Sequence, residues 1–281
     1  MNGSKQTIES PVSIPDRKLV AELLTYPVEI SGQIQIRAGL SSRARVLFRY
    51  QPPTSRETTF ECDVYLDAGA CLDIFHIVQS TDAHLSVKFR YHLKKHASLN
   101  VWTYVGSAAF VNLEQEAIFE EEHAFASLRG LSVLDGAQQT VHKVKATHKV
   151  GHGISRQFYK SVVTDSAKST FESLVYVERG AAKSDSKQLN KNLVLSAGAV
   201  AVSRPELKIY ADDVACAHGS ATGQIDANEL FYLRSRGIAE HDARALMIEG
   251  FAEEPLEDVS DADLKKELQL LAQVRIGELI R

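Results

Sequence analysis

The stretch ACLDIFHIVQSTDAHLSVKFRYHLKKHASLNVWTYV, residues 70–105, contains three short segments in which apolar and polar residues alternate. Each segment begins at an alanine and is rich in the β-branched and aromatic residues that favour strands. The same pattern returns twice further along the chain, and its five starts are Ala70, Ala83, Ala97, Ala124 and Ala137. Strands that recur at a nearly constant interval behind a small residue indicate a repeated, solenoid-like fold.

Turn signals are rare in the strand-rich part of the chain, about residues 28–225. Asp135-Gly136 is its one Asp-Gly or Asn-Gly pair, whereas a meander of hairpins would show more of them. In a β-helix each strand pairs in parallel with the strand one coil away, so tight hairpins are not needed. We therefore predict a β-solenoid, with a two-sheet sandwich joined by irregular loops as the alternative.

From residue 226 the pattern becomes helical. Asp226 followed by Glu229 predicts a capping box for a helix ending at Gly237, and a second helix is expected over Glu240–Glu253. Ser260 with Asp263 is expected to open a third helix. Its apolar stripe consists of Leu264, Leu268, Leu271 and Val274. That stripe packs either on the strand domain or against a partner.

The predicted organisation has three parts. Residues 1–27 form a polar N-terminal tail with one short helix at 16–24, residues 28–225 form the β-helix core, and residues 226–281 form the helical region. The tail lacks the apolar core of a secretory signal.

The composition is that of a globular protein. Of the 281 residues 44% are hydrophobic and 24% charged, and the net charge of −4 provides no basic field for nucleic acid or an anionic membrane surface. No apolar run approaches the roughly 20 residues that span a bilayer. The expected location is the cytoplasm.

Two of the cysteines, three histidines and an acidic run are interpreted as structural residues and not as metal ligands or catalytic groups. Cys62 and Cys71 are expected to be small buried thiols, because no CxxC motif is present. The histidines His142, His148 and His152 are expected to be half-exposed on strands and not to form a metal site. The acidic run Glu114, Glu116 and 120–122 is interpreted as a solvated turn. This interpretation weighs against a polysaccharide-active β-helix enzyme, which remains the alternative of a different class.

Cys216-Ala217-His218-Gly219 is the candidate site. On an extended segment, the thiol of Cys216 and the imidazole of His218 point to the same side, and both are good iron ligands. Two ligands do not hold a cluster alone, so the pair fits an interface where another chain supplies more. The alternative is a buried cysteine beside a hydrogen-bonded histidine. The chain has no P-loop of its own.

A long stretch around this pair resembles a known family. It comprises SRPELKIYADDV at 203–214, Cys216, His218-Gly219, Gly223-Gln224, Asp226, LFYLRSRGI at 230–238, DARALM at 242–247 and Gly250-Phe251. Upstream, residues 160–171 and 191–196 also fit. Together they resemble the SufB/SufD family of the SUF iron–sulfur cluster assembly system, and its SufD branch in particular.

The resemblance implies a right-handed parallel β-helix followed by C-terminal helices. It implies a scaffold, not an enzyme, that pairs with a SufB-type chain through the end of the β-helix and binds the SufC ATPase through those helices. His218 and Cys216 map to the cluster-assembly site, where a cluster is held transiently and no cofactor is bound tightly. The candidate SufC-binding residues in the matched helices are Leu230, Phe231, Tyr232, Arg234, Arg236, Gly237, Met247 and Phe251.

The chain departs from the SufB pattern at two places. SufB-type chains carry Glu where Gly219 stands, and a Cys upstream, but residues 186–201 contain none. The resemblance therefore implies a supporting SufD-like partner. A self-pairing minimal SufB/SufD-like scaffold with SufC is the alternative.

Overall fold

The computed structural model describes residues 12–27, 32–50, 57–79 and 84–280. Residues 1–11 of the predicted tail, the repeat start Ala83 and Arg281 lie outside these ranges. Within them the strands are β1 Val12–Ile14, β2 Leu19–Pro27, β3 Gly32–Ala38, β4 Arg43–Tyr50, β5 Glu57–Leu66, β6 Cys71–Gln79, β7 His84–Leu93, β8 Ser98–Ser107, β9 Phe110–Phe119, β10 Phe125–Leu134, β11 Gln139–His148, β12 Ile154–Val163, β13 Lys168–Val177, β14 Asp185–Val194, β15 Val200–Ile209 and β16 Ala215–Gly223. The helices are α1 Ala227–Ser235, α2 Glu240–Glu253 and α3 Ala262–Leu279, with a 3-10 turn at Glu254–Leu256.

The strands form two parallel sheets. Odd-numbered strands make sheet A and even-numbered strands make sheet B, each in sequence order. Val101 of β8, for example, is paired with Ile74 one coil before and Leu128 one coil after. The predicted β-solenoid is confirmed. The sandwich alternative is wrong, because every strand pairing in the described ranges is parallel.

The lumen, meaning the interior between the two sheets, is filled by every second residue of each strand. In β7 the inward Leu85, Val87 and Phe89 are buried, and the residues between them are half-buried on the outer face. Cys62 is fully buried in this core, as predicted, while Cys71 is only partly buried. Alternation places one face of each strand in the core, which is why the period-2 pattern predicted the strands.

The outer face of sheet B is apolar and carries the helical layer of α2, α3 and the 3-10 turn. Its outward residues form one cluster with the helices and include Leu47, Phe75, Ile77, Trp102, Tyr104, Leu131, Val133, Val162 and Leu193. Tyr104 donates a hydrogen bond to the carbonyl of Leu271 at 3.0 Å, and Lys160 donates one to the carbonyl of Phe251 at 2.7 Å. Arg49 pairs with Glu267 at 2.7 Å, and Arg45 pairs with Asp261. No helix in the described ranges has the length and apolar character needed to cross a bilayer.

The predicted stripe of α3 is partly wrong. Leu264 and Leu268 are buried on the strands, but Val274 is exposed, and Ala272 and Ile276 complete the buried face. The buried row advances by four residues per step, so position 274 has rotated away from the sheet. The N-cap is also displaced: Asp261, not Ser260, accepts the hydrogen bonds from the first turn.

The helix α1 begins as predicted. The Asp226 carboxylate accepts hydrogen bonds from the backbone of Asn228 at 2.7 Å and Glu229 at 3.1 Å. Gly237 follows the C-cap with a φ of 89°, a left-handed conformation that glycine adopts at low cost.

The outer face of sheet A is charged. One row across the strands, here called the charge ladder, alternates in sign and reads Glu61, Lys88, Glu114, Lys143, Glu172 and Arg204. Glu114 accepts a hydrogen bond from Lys143 at 2.9 Å, which lowers the pKa of its carboxyl group. The interpretation of Glu114 and Glu116 as a turn is therefore wrong, although 120–122 do lie at one. Opposite charges in neighbouring strands stabilise the register.

The corner between each sheet A strand and the following sheet B strand uses a left-handed residue. Successive coils place there Arg17, Ser41, Gly69, His96, His123, His152, Lys183 and Asp213, all with positive φ. At most of these corners the amide of the left-handed residue donates to a carbonyl one coil ahead, as from Gly69 to Lys95 at 2.9 Å. The same left-handed corner conformation thus recurs from coil to coil.

The interpretation of the three histidines as half-exposed strand residues is wrong. His142 and His148 face the lumen and are buried, and His152 is exposed at a corner. The ring nitrogens of His142 and His148 lie 2.9 Å from the hydroxyl oxygens of Ser132 and Ser155, respectively. Burial disfavours the charged imidazolium and lowers the pKa of each to about 4.

The short helix predicted at 16–24 is also wrong, and the solenoid begins before residue 28. Strands β1 and β2 form the first described coil, and β2 pairs in parallel with β4. Pairing with an existing sheet satisfies the backbone more completely than a two-turn helix, so tertiary contacts override the local helical preference.

Candidate functional site

Cys216 and His218 lie on β16, the last strand of sheet B. Cys216 is paired with Ser186 and His218 with Gln188, both of which are buried in the lumen. Cys216 and His218 therefore face inward at the C-terminal end of the solenoid. Cys216 is partly buried against the core, whereas His218 is exposed because no further coil in the described part of the chain covers it.

The surroundings of Cys216 keep its thiol protonated. Burial raises the pKa of the thiol above its ordinary value, and the Asp185 carboxylate acts in the same direction. A backbone hydrogen bond with Ser186 opposes both effects. Because the thiolate is the form that binds metal, binding of a metal ion by Cys216 would release the thiol proton.

The lumen changes from apolar to polar as it approaches this end. From β4 to β16 the row that ends at Cys216 reads Ala44, Leu72, Leu99, Ala126, Ser155, Ser186 and Cys216, and the row that ends at His218 reads Val46, Ile74, Val101, Leu128, Gln157, Gln188 and His218.

Hydrogen bonds connect the polar part of the lumen. Ser155 donates to Ser186 at 2.7 Å, and Gln188 donates to Gln157 at 3.3 Å. Gln157 Nε2 and Gln188 Oε1 have no hydrogen-bond partner in the described part of the chain. Buried polar groups that are only partly satisfied cost stability.

The chain alone does not complete a metal site at this place. Among the described residues, no group of three or more His, Cys, Asp or Glu side chains is arranged to hold a metal ion. Cys216 and His218 thus share the inward face of β16, as predicted.

The same end of the solenoid has two open sheet edges. Among the strands that the structure describes, β15 and β16 each have a neighbour on one side only. Val200, Ile209 and Tyr210 are exposed beside these edges. Unpaired edges with apolar side chains favour pairing with another polypeptide. Sequence reasoning missed these three residues, since an exposed apolar residue at a sheet end has the same local pattern as a buried one.

Most of the candidate residues on α1 are exposed. The helix buries no side chain, and Phe231 and Tyr232 are 72% and 57% exposed. Leu230 and Met247 are half-buried, Arg234 pairs with Glu240 at 3.2 Å, and Arg236 lies 5.2 Å from the ring centre of Tyr232.

Two of the candidates also have structural roles. Gly237 ends α1, and the ring of Phe251 packs under the Lys160 ammonium at 4.2 Å. The exposed rings of Phe231 and Tyr232 on α1 are therefore more specific candidates for a partner-binding surface than Gly237 and Phe251.

Comparison with known proteins adds a family. A family model described as "SUF system FeS cluster assembly, SufBD core domain" matches residues 28–251. The iron–sulfur cluster assembly protein SufD of Escherichia coli is 43% identical over 131 residues, which cover 47% of this chain and 30% of the relative. An iron–sulfur cluster assembly SufBD family protein of Synechocystis is 38% identical over 158 residues, covering 56% and 34%. A SufBD family protein of Mycobacterium leprae is 29% identical over 280 residues, covering 95% and 68%. The matches thus span about a third of the length of the first two relatives.

Proposed function

Since this chain belongs to the SufBD family of the SUF iron–sulfur cluster assembly system, we propose that it is a SufD-like, non-ATPase scaffold subunit. It pairs with a SufB-type chain and binds a SufC-type ATPase. ATP hydrolysis belongs to the SufC partner, because the chain carries no P-loop.

The observation that carries this proposal is the position of Cys216 and His218. They face the open end of the solenoid, on a terminal strand whose other edge is free. A thiol and an imidazole at such an edge suit a site that a second chain completes, since two donors leave an iron ion incompletely coordinated. A cluster built there is cargo that passes through the interface, and no tightly bound cofactor belongs to the proposal.

The partner's place is supported by the free edges of β15 and β16. Addition of strands from another solenoid would satisfy the edge backbone and cover Val200, Ile209 and Tyr210. Distortion of that interface would change the burial of Cys216, and burial is the main reason that the pKa of its thiol is raised. Opening the interface therefore favours the metal-binding thiolate.

A supporting role beside a sulfur-accepting SufB-type partner is suggested by the residues near His218, which include neither a carboxylate at position 219 nor an upstream cysteine. Gly219 supplies no carboxylate, and 186–201 supply no second thiol. The fold does not impose this, because a Cβ at Gly219 would meet only the Leu189 side chain, at 3.4 Å. The sulfur-accepting groups are therefore assigned to the SufB-type partner.

Complex formation tests the proposal. Co-expressed with SufB-type and SufC-type chains from the same genome, the protein is expected to form a complex of one copy of itself, one SufB and two SufC. Native mass spectrometry measures this composition. A complex of two copies of this chain with SufC would favour the self-pairing alternative. Failure to bind either partner, or ATPase activity of the isolated chain, would refute the proposal.

His218→Ala tests the site. In the reconstituted complex we expect the initial rate of cluster formation, followed by visible absorbance, to fall several-fold, because one imidazole ligand is lost. The thermal midpoint is expected to stay close to wild type, since His218 is exposed. His84→Ala removes an exposed histidine on β7 and serves as the control. An unchanged rate in His218→Ala would remove His218 from the site.

A further inference from the structure

Three histidines are stacked on one corner of the solenoid, far along the chain from Cys216 and His218. His96, His123 and His152 occupy the same corner position in three successive coils, and we call them the histidine ladder. The ring centres of His96 and His123 are 5.1 Å apart with planes inclined by 12°, and those of His123 and His152 are 4.7 Å apart with planes inclined by 30°.

The corner itself does not require imidazoles. Each ladder residue has a left-handed backbone, with φ of 55°, 63° and 61° along the series. Gly69 holds the same position one coil earlier and Lys183 one coil later. Arg17, Ser41 and Asp213 adopt the same conformation at this corner in other coils, so the position accepts several kinds of side chain and does not demand histidine.

The ladder rings are available for binding. All three residues are exposed. In the described part of the chain the rings of His96 and His152 make no hydrogen bond or ion pair, and His123 Nε2 has only the Glu122 carboxylate, at 3.9 Å. Turning one of these exposed rings breaks its stacking on the adjacent ladder ring but no hydrogen bond in the described part of the chain. The ring nitrogens of adjacent coils can therefore turn toward a common point.

We propose that the histidine ladder binds one divalent first-row transition metal ion through two imidazoles from neighbouring coils, with water completing the coordination. Metal–nitrogen bonds of about 2.0–2.1 Å bring two donors on one ion to roughly 3 Å apart, which rings centred about 5 Å apart reach by turning. Imidazole donors select Cu²⁺, Ni²⁺ and Zn²⁺ over Mg²⁺ and Ca²⁺. The Glu122 carboxylate adds negative charge beside the central ring.

The effect of replacing His123, the central residue, distinguishes binding by the ladder from binding by isolated histidines. His123 belongs to both possible pairs, so only one ion binds at a time, and loss of His123 removes both pairs. Loss of His96 or His152 leaves the other pair in place. This site is separate from Cys216 and His218, and the proposal does not depend on the function proposed above.

Calorimetric titration of the full chain with Ni²⁺ tests the proposal. Wild type is expected to show a one-ion step that disappears in His123→Asn, while His96→Asn and His152→Asn each keep a weakened step; His218→Ala should retain the wild-type step. The loss of Ni²⁺ affinity in His123→Asn should exceed the roughly 10–100-fold that removal of an outer-sphere partner brings. Asparagine is used because it tolerates the left-handed backbone.

Two controls complete the test. His241→Asn removes an exposed histidine on α2 and should leave the Ni²⁺ step unchanged. Far-ultraviolet circular dichroism should be the same for all variants. In wild type, electron paramagnetic resonance of bound Cu²⁺ should show coupling to two imidazole nitrogens, and this coupling should be lost in His123→Asn. Absence of Ni²⁺ binding in wild type, or wild-type binding by His123→Asn, would overturn the proposal.

Discussion

Replacement of both Phe231 and Tyr232 by alanine is expected to weaken binding of a SufC-type ATPase by about a hundredfold or more. Buried aromatic anchors at interface centres contribute about 2 kcal/mol or more each, and about 1.4 kcal/mol corresponds to a tenfold change in Kd. The double variant should remain folded, because α1 buries no side chain within this chain. Calorimetry or surface plasmon resonance with the isolated ATPase measures the change in Kd.

A matched control lies on α3. Leu270 and Val274 are 57% and 56% exposed, close to the value for Tyr232, but they lie on a different helix. Leu270→Ala with Val274→Ala removes a comparable exposed apolar surface. We expect the Kd of this control to stay within about threefold of wild type. An equal loss of affinity in both double variants would mean that α1 is not the specific binding surface.

Glu254→Ala is expected to destabilise attachment of the helical layer to sheet B by about 2 kcal/mol, somewhat less than for a fully buried ion pair. Glu254 lies 2.5 Å from the Lys160 ammonium, whose side chain is only 2% exposed. Without Glu254, Lys160 keeps the Phe251 carbonyl but loses its closest counter-charge. Chemical denaturation followed by circular dichroism measures the loss in free energy of unfolding.

The effect of Glu254 should depend on pH in a defined direction. The hydrogen bond from Lys160 is the largest influence on the Glu254 carboxyl and holds its pKa below the ordinary value, with Lys191 acting in the same direction and burial opposing both. A folded-state pKa below that of the unfolded chain adds stability above about pH 4.5, and this stability is lost as pH falls through the folded-state value. The difference in unfolding free energy between wild type and Glu254→Ala should therefore be full at pH 7 and shrink below about pH 4.5.

Lys191→Met provides the comparison for this prediction. Lys191 also contacts Glu254, at 3.3 Å, but its side chain is 36% exposed. Its loss should cost less than about 1 kcal/mol, as for an exposed ion pair. A Glu254→Ala difference that grew on acidification, or one no larger than that of Lys191→Met, would contradict the assigned role of Lys160.

The sequence predicted the fold where local pattern and tertiary structure agree. The alternation from Leu85 to Leu93 indicated a strand, and the small residues Ala70, Ala97 and Ala124 are indeed buried at corners. At Leu19–Pro27, a short apolar segment could be helix or strand, and only the pairing with β4 decides. Contacts on the polar outer face of sheet A could not be predicted from local pattern. Glu114 and Lys143 are 29 residues apart, and their contact follows from coil stacking.

Of the candidate site, the sequence supplied the ligand types and their shared face. Cys216 and His218 do face the same way, because residues two apart on a strand must. That they lie at the open end of the lumen depends on how many coils precede them. Buried histidines such as His142 were misjudged because their partner, Ser132, lies on a different sheet.

The position of the helical layer has a consequence for biosynthesis. The apolar outer face of sheet B, from Leu47 to Leu193, is complete once β14 has been translated, but the residues that cover it extend to Leu279. At about 5–20 residues per second, a nascent chain would present this hydrophobic strip for on the order of ten seconds before its cover leaves the ribosome. A chain that terminates early within α2 would keep the strip exposed permanently. By covering this strip, α2 and α3 would protect the newly made solenoid from aggregation.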